Sequence, residues 1–155
     1  MAGAPIVGGF VEDCAHPYAC VAESLEAVHR AGLRTAVVTN KQHRFAAALL
    51  ERLGLCAWVD VVVGGDTCAR RKPDPLPLLF ACESLGVPPS KSLMVGDSAN
   101  DAEAARAAGI PVVCVSYGYN EGRAARTLDC DALLDSLTEL LPLLEIQRLP
   151  SPGRC

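Results

Sequence analysis

The sequence predicts an α/β protein built on a doubly wound parallel sheet. Short runs of β-type apolar residues alternate with helical stretches along most of the chain. The clearest run, Leu33–Asn40, is apolar on both faces towards its end, as strands covered by helices on each side are. The polar residues that ask for an explanation also fall directly after strands: Thr39 and Asn40 after one, and Asp97, Ser98 and Asp101 after another. In open α/β sheets, ligands bind at those carboxyl ends.

Each element has its own signal. Pro5–Asp13 carries β-type residues but two glycines in its middle, so it reads as a poor strand or an ordered arm. Val21–Ala31 places Val21, Leu25 and Val28 at helical spacing, with Gly32 as its stop. After the strand Leu33–Asn40, Gln42–Leu53 is a helix with an expected buried stripe of Phe45, Ala46, Leu49 and Leu50. Val59–Val63 is the next strand, and Gly64-Gly65-Asp66 its turn. Pro75–Leu85 is a helix with prolines in its first turn, where they are tolerated. The strand Leu93–Val95 leads through Gly96, free to turn sharply, into the helix Asp101–Ala108, which stops at Gly109. Pro111–Val115 is a strand, Ser116–Gly122 a loop, Ala132–Leu134 a short strand and Leu137–Leu144 a closing helix.

With 155 residues, half of them hydrophobic and 21% charged, the chain suits one globular domain with a real core. The expected division is an N-terminal arm over 1–16, an α/β core over 17–146 and a flexible tail over 147–155. A net charge of −4 with no basic face argues against nucleic acid as a partner, and Arg70-Arg71-Lys72 reads as a solvated loop. Met1–Val11 has neither a basic start nor a long apolar run, and no stretch approaches a membrane span. Eight cysteines with no Cys-x-x-Cys pair read as reduced thiols, which points to the cytoplasm.

The polar residues each admit two chemical readings. Thr39 and Asn40 offer a hydroxyl, an amide and backbone N–H groups beside a helix N-terminus, a setting that favours phosphate; an ordinary strand-to-helix cap has the same composition. Lys72, stiffened by the neighbouring prolines, suits a point charge against a phosphate, although most lysines are simply surface groups. Asp97 and Asp101 form a pair of hard oxygen ligands suited to Mg2+; alternatively, Asp97, Ser98 and Asn100 simply cap the helix Asp101–Ala108. Mg2+ there would stabilise charge on a phosphoryl group, and a phosphatase needs a nucleophile besides.

Three stretches in order, Val37-Val38-Thr39-Asn40, Lys72-Pro73-Asp74-Pro75 and Val95-Gly96-Asp97-Ser98-Ala99-Asn100-Asp101, resemble motifs two, three and four of the haloacid dehalogenase superfamily. Within it they look most like the phosphoglycolate phosphatases, over roughly residues 17–144. The resemblance implies a Rossmann-like core and Mg2+-dependent hydrolysis of a small phosphorylated metabolite such as 2-phosphoglycolate. It implies that Thr39 bonds the phosphoryl group with Asn40 beside it, and that Lys72 bridges phosphate and nucleophile. Asp97 would ligate Mg2+, Asp101 would support that ligation directly or through water, and Ser98 and Asn100 would shape the loop.

The departure from the family is equally specific. Its first motif, a strand followed by Asp-x-Asp-Gly-Thr, is absent, and no room is left for its helical cap. The expected core is therefore incomplete, with a gap between the strands ending at Thr39 and Gly96 and two unpaired edges inviting self-association. Asp129-Cys130-Asp131 has the spacing of the missing motif but no strand before it, and reads as the loop entering the last strand. Ile6–Asp13 offers another way to fill the gap, presenting Glu12 or Asp13 as nucleophile, with Ala15 where the second aspartate belongs. Two function classes follow: a Mg2+-dependent phosphatase, or a non-catalytic phosphate- or Mg2+-binding or interaction module. A receiver-like signalling domain fits poorly, since no phospho-accepting aspartate ends an early strand.

Overall fold

A computed structural model describes residues 4–8, 21–116 and 127–144. In chain order the elements are β1 (Ala4–Gly8), α1 (Val21–Arg30), β2 (Ala36–Val38), α2 (His43–Arg52), β3 (Val61–Val63), α3 (Leu76–Leu85), β4 (Ser92–Gly96), α4 (Ala99–Ala108), β5 (Val112–Val115), β6 (Ala132–Leu134) and α5 (Leu140–Leu143). Single 3-10 turns precede β3, β4 and α5. The six strands form one sheet in the order β3-β2-β1-β4-β5-β6, with every neighbouring pair parallel.

The doubly wound sheet is as the sequence predicts, but the expected gap is filled. β1 runs between β2 and β4, pairing Ile6 with Ala36 on one side and with Met94 on the other. The edges that a gap would expose are thus paired, and the sheet's own edges are β3 and β6. Ladder hydrogen bonds on both sides outweigh the weak strand propensity of a segment holding Pro5 and Gly8. This strand brings no carboxylate of its own, and Glu12, Asp13 and Ala15 lie outside the described residues. No helical cap occurs among the described residues.

Alternation along the strands divides the core between two faces. Ala36, Val38, Met94, Val112 and Cys114 pack with Leu78, Ala81 and Cys82 of α3 and Ala104 and Ala105 of α4. Val37, Val95, Val113 and Val115 pack on the opposite face with Val21 and Leu25 of α1, Leu50 of α2 and Leu140 of α5. Small residues on the buried side of α4 let it approach the sheet closely. Side chains such as Leu50, Leu78, Met94 and Ile110 are fully buried, each worth about 1.5–3 kcal/mol.

Phe45 is a correction. It is 51% exposed rather than part of the α2 stripe, and the Arg44 guanidinium lies over its ring at 4.5 Å. The buried positions of α2 are Ala46 and Leu50, four apart on one face. No helix among the described residues is long and apolar enough to cross a membrane.

Candidate functional site

The strand order reverses between β1 and β4, and the crevice beyond their carboxyl ends is the natural ligand site of such a sheet. The sequence-predicted residues converge there. Thr39, Lys72, Asp97, Ser98 and Asp101 are all buried, an unusual concentration of polar side chains for so small a region.

Lys72 enters this floor from the turn before α3. Its ammonium donates to the Val38 carbonyl at 2.8 Å and to Asp101 Oδ1 at 2.6 Å. These bonds account for two of the three ammonium donors. The backbone that carries it is held by Asn40, whose Nδ2 donates to the Lys72 carbonyl and whose Oδ1 accepts the Lys72 N–H, both at 3.0 Å. The Lys72–Pro73 bond of this turn is cis. Asn40 therefore grips the peptide of Lys72, a role the sequence did not suggest because the partners lie far apart along the chain.

The acidic turn after β4 is built on Asp101. Its Oδ2 accepts the Asp97 N–H at 3.0 Å, and the Ser98 N–H and Oγ–H at 3.2 Å each. The bond from the Ser98 N–H is the reciprocal half of a capping box on α4. A Cβ on Gly96 would stand 2.4 Å from the Asp101 Cβ, so only glycine lets the carboxylate fold back over the strand end. Burial is the largest influence on the Asp101 carboxyl and favours its protonated form. The Lys72 charge and hydrogen bond, with the hydrogen bonds from Asp97, together outweigh it and hold the group below the usual carboxylate range.

The Mg2+ reading meets this geometry unevenly. Both Asp101 oxygens are already engaged, one by an ammonium and one by three donors, which suits a positioning role better than direct ligation. Asp97, buried at the strand end, has the hard oxygen chemistry that Mg2+ takes. No group of three His, Cys, Asp or Glu able to hold a metal occurs among the described residues. Mg2+ commonly binds through one or two carboxylates, with waters and substrate phosphate completing its shell, so Asp97 fits such a site.

Thr39 Oγ1 accepts the Lys41 N–H at 3.1 Å, which sets the chain turning away from β2. The expected helix N-terminus beyond it is partly claimed: the His43 N–H of α2 donates to Asp66 Oδ1 at 2.7 Å. That hydrogen bond is the main reason the Asp66 carboxyl lies below its ordinary range. Asn100 is half-buried in the first turn of α4. Asp129 and Asp131 stand apart from the site, as expected of a loop, and both bond Arg106 of α4. Beside the Lys72–Pro73 turn an open groove is lined by Arg70, Arg71, Asp74 and Glu103.

The chain is similar to known proteins over most of its length. A family model described as haloacid dehalogenase-like hydrolase matches residues 6–109, beginning within β1. A phosphoglycolate phosphatase of Thiobacillus denitrificans is 51% identical over 123 residues, 79% of this chain and 54% of that protein. The Escherichia coli K12 phosphoglycolate phosphatase is 45% identical over 124 residues, 80% of this chain and 49% of that protein. Among solved structures, a predicted phosphoglycolate phosphatase of Haemophilus somnus aligns with TM-score 0.79 and 35% identity, over 82% of this chain and 56% of that one. CbbY of Rhodobacter sphaeroides, solved in complex with phosphate, aligns with TM-score 0.72 and 30% identity, over 81% and 56%. The chain spans about half the length of the curated relatives it matches.

Proposed function

Given that the chain belongs to the haloacid dehalogenase-like hydrolases, we propose that it serves the Mg2+-dependent hydrolysis of a small phosphomonoester resembling 2-phosphoglycolate. The observation that carries this reading is the buried Lys72–Asp101 pair set between Thr39 and Asp97 at the strand ends. Lys72 places positive charge against the phosphoryl oxygens, while Asp101 holds the ammonium in place and keeps the pair neutral when no substrate is bound. Thr39 supplies a hydroxyl to the same group, and Asn40 acts through Lys72 by fixing its peptide. Asp97, with Asp101 as support, would hold Mg2+, which when bound neutralises charge developing on the transferring group.

A second reading, a phosphate- and Mg2+-binding module without turnover, is favoured by one specific observation. β1 ends at Gly8, Gly9 follows it, and the first carboxylates after the strand are Glu12 and Asp13. A nucleophilic carboxylate, if the chain supplies one, falls to those two residues. One experiment separates the readings: phosphate release from 2-phosphoglycolate with Mg2+, run beside calorimetric titration with inorganic phosphate. Turnover that vanishes in Asp97→Asn supports hydrolysis. Phosphate binding that depends on Lys72, without turnover, supports the binding module. Neither turnover nor binding overturns both.

A further inference from the structure

The turn that carries Thr39 and Asn40 is fastened to the turn after β3 at three points. On the strand side, the Thr39 N–H donates to the Val63 carbonyl at 2.9 Å. Past Asn40, the Lys41 carbonyl accepts the Gly65 N–H at 2.7 Å, and the His43 N–H donates to Asp66 Oδ1 at 2.7 Å. Between these points the two backbones touch. A Cβ on Gly64 would overlap the His43 nitrogen, and one on Gly65 the Asn40 carbonyl oxygen, so the close seating depends on both glycines. The turn after β3 is itself closed on Thr67, whose Oγ1 accepts the Gly64 N–H at 2.9 Å and whose N–H donates to the Gly64 carbonyl at 3.2 Å. Two of the three fastenings are backbone bonds, and the third is a side chain. Gln42, at the N-cap of α2, makes no side-chain cap bond; the acceptor for the first N–H of the helix comes from Asp66, 23 residues beyond His43. Asp66 is exposed and lies outside the buried floor of Thr39, Lys72, Asp97 and Asp101.

We propose that Asp66 is a positioning residue for phosphoryl binding, an assignment that rests on the phosphate reading given above. It acts through the turn and touches no substrate. Its bond to His43 fixes the far end of the Thr39–His43 turn. The backbone between carries Asn40, whose side chain grips the Lys72 peptide through two bonds of 3.0 Å. Without the Asp66 oxygen the turn is free to lift from Gly65, and the Thr39 hydroxyl and the Lys72 ammonium lose their common register. Charge gives the opposite expectation, which makes the two effects separable. Asp66 is an anion at the N-terminal end of α2, the end of a helix that attracts phosphate. By charge alone, its removal strengthens phosphate binding. By position, loss of its oxygen weakens binding, although a negative charge is lost with it.

The test is calorimetric titration of the full chain with inorganic phosphate, set beside three variants. Asp66→Ala loses the oxygen and the charge, and is expected to bind phosphate roughly five- to tenfold more weakly. Asp66→Asn keeps an acceptor for the His43 N–H without the charge, and is expected to bind at least as tightly as the parent. Ala48→Gly, on the exposed side of α2, weakens the helix without touching either turn, and is expected to leave the affinity unchanged. The proposal is overturned if Asp66→Ala binds as tightly as the parent or more so, or if Asp66→Asn or Ala48→Gly loses as much affinity as Asp66→Ala. Each of those results leaves the phosphate reading standing. A parent chain that binds no phosphate overturns that reading and this assignment together.

Discussion

Replacing Lys72 with methionine is expected to cost about 3–4 kcal/mol of folding stability, by the following terms. The ion pair with Asp101 is 2.6 Å long, and its side chains are only 3% and 1% exposed. Removing one partner of so buried a pair typically costs about 3–5 kcal/mol, because the other charge stays desolvated. Asp101 keeps three donors on Oδ2, which places the cost near the lower end. The Val38 carbonyl loses a donor as well, worth about 1 kcal/mol. Against a total of about 5–15 kcal/mol this is a large fraction. Urea unfolding followed by the single tryptophan, Trp58, gives the number, with the m-value unchanged. The decisive control combines Lys72→Met with Asp101→Asn, which retains an acceptor for the loop amides but carries no charge. The double variant is expected to lose about 2 kcal/mol less than the sum of the singles. A Lys72→Met cost below about 1 kcal/mol, or singles that simply add, would refute the reasoning.

Four further outcomes follow from the same geometry. Asp101 has a folded pKa below its unfolded value of about 3.9, so its contribution is complete above that value and is lost as pH falls through the folded one; the urea midpoint is expected to fall less steeply as pH drops below about 5 in Asp101→Asn than in the parent, and equal slopes would contradict this. Asn40→Ala removes both bonds to the Lys72 peptide, and calorimetry is expected to show inorganic phosphate binding roughly tenfold more weakly, with about 1–3 kcal/mol of stability lost. Gly96→Ala drives a methyl against the Asp101 Cβ and is expected to cost about 1–3 kcal/mol in urea unfolding, so a neutral result would mean the turn is not as tight as described. Phe45→Ala is expected to change stability by less than about 1 kcal/mol whereas Leu50→Ala costs about 2–5, and a reversal of that order in the unfolding midpoints would restore Phe45 to the core.

What the sequence disclosed and what it hid have physical causes. The strands ending at Val38 and Gly96 were readable because both faces of each are buried, which leaves Val, Met and Leu in runs with polar residues directly after them. Thr39, Lys72, Asp97 and Asp101 were readable as a set through their order along the chain, and the fold gathers them at the carboxyl ends of β2 and β4, on either side of β1. β1 was only weakly legible, as a poor strand or arm that could fill the gap, because its stability comes from two parallel neighbours distant in sequence while its glycines argue against a strand. The task of Asn40 was hidden for the same reason: an amide looks alike whether it meets a ligand or the backbone of Lys72. Periodicity placed Phe45 beside the buried stripe of α2 but could not say that the face boundary runs between it and Ala46.

The central place of β1 has a consequence for how the chain is made. Synthesis delivers this strand before any of its neighbours, and Ile6 needs both Ala36 and Met94. The second partner is built about 90 residues later, which at about 5–20 residues per second is a delay of roughly 4–18 seconds. Through that interval an apolar strand has at most one flank occupied, in a topology whose long-range parallel pairing is intrinsically slow. The nascent chain is therefore most exposed to misassociation before β4 emerges, and slowing translation upstream of Ser92 is expected to lower the yield of folded protein more than the same pause placed after Gly96.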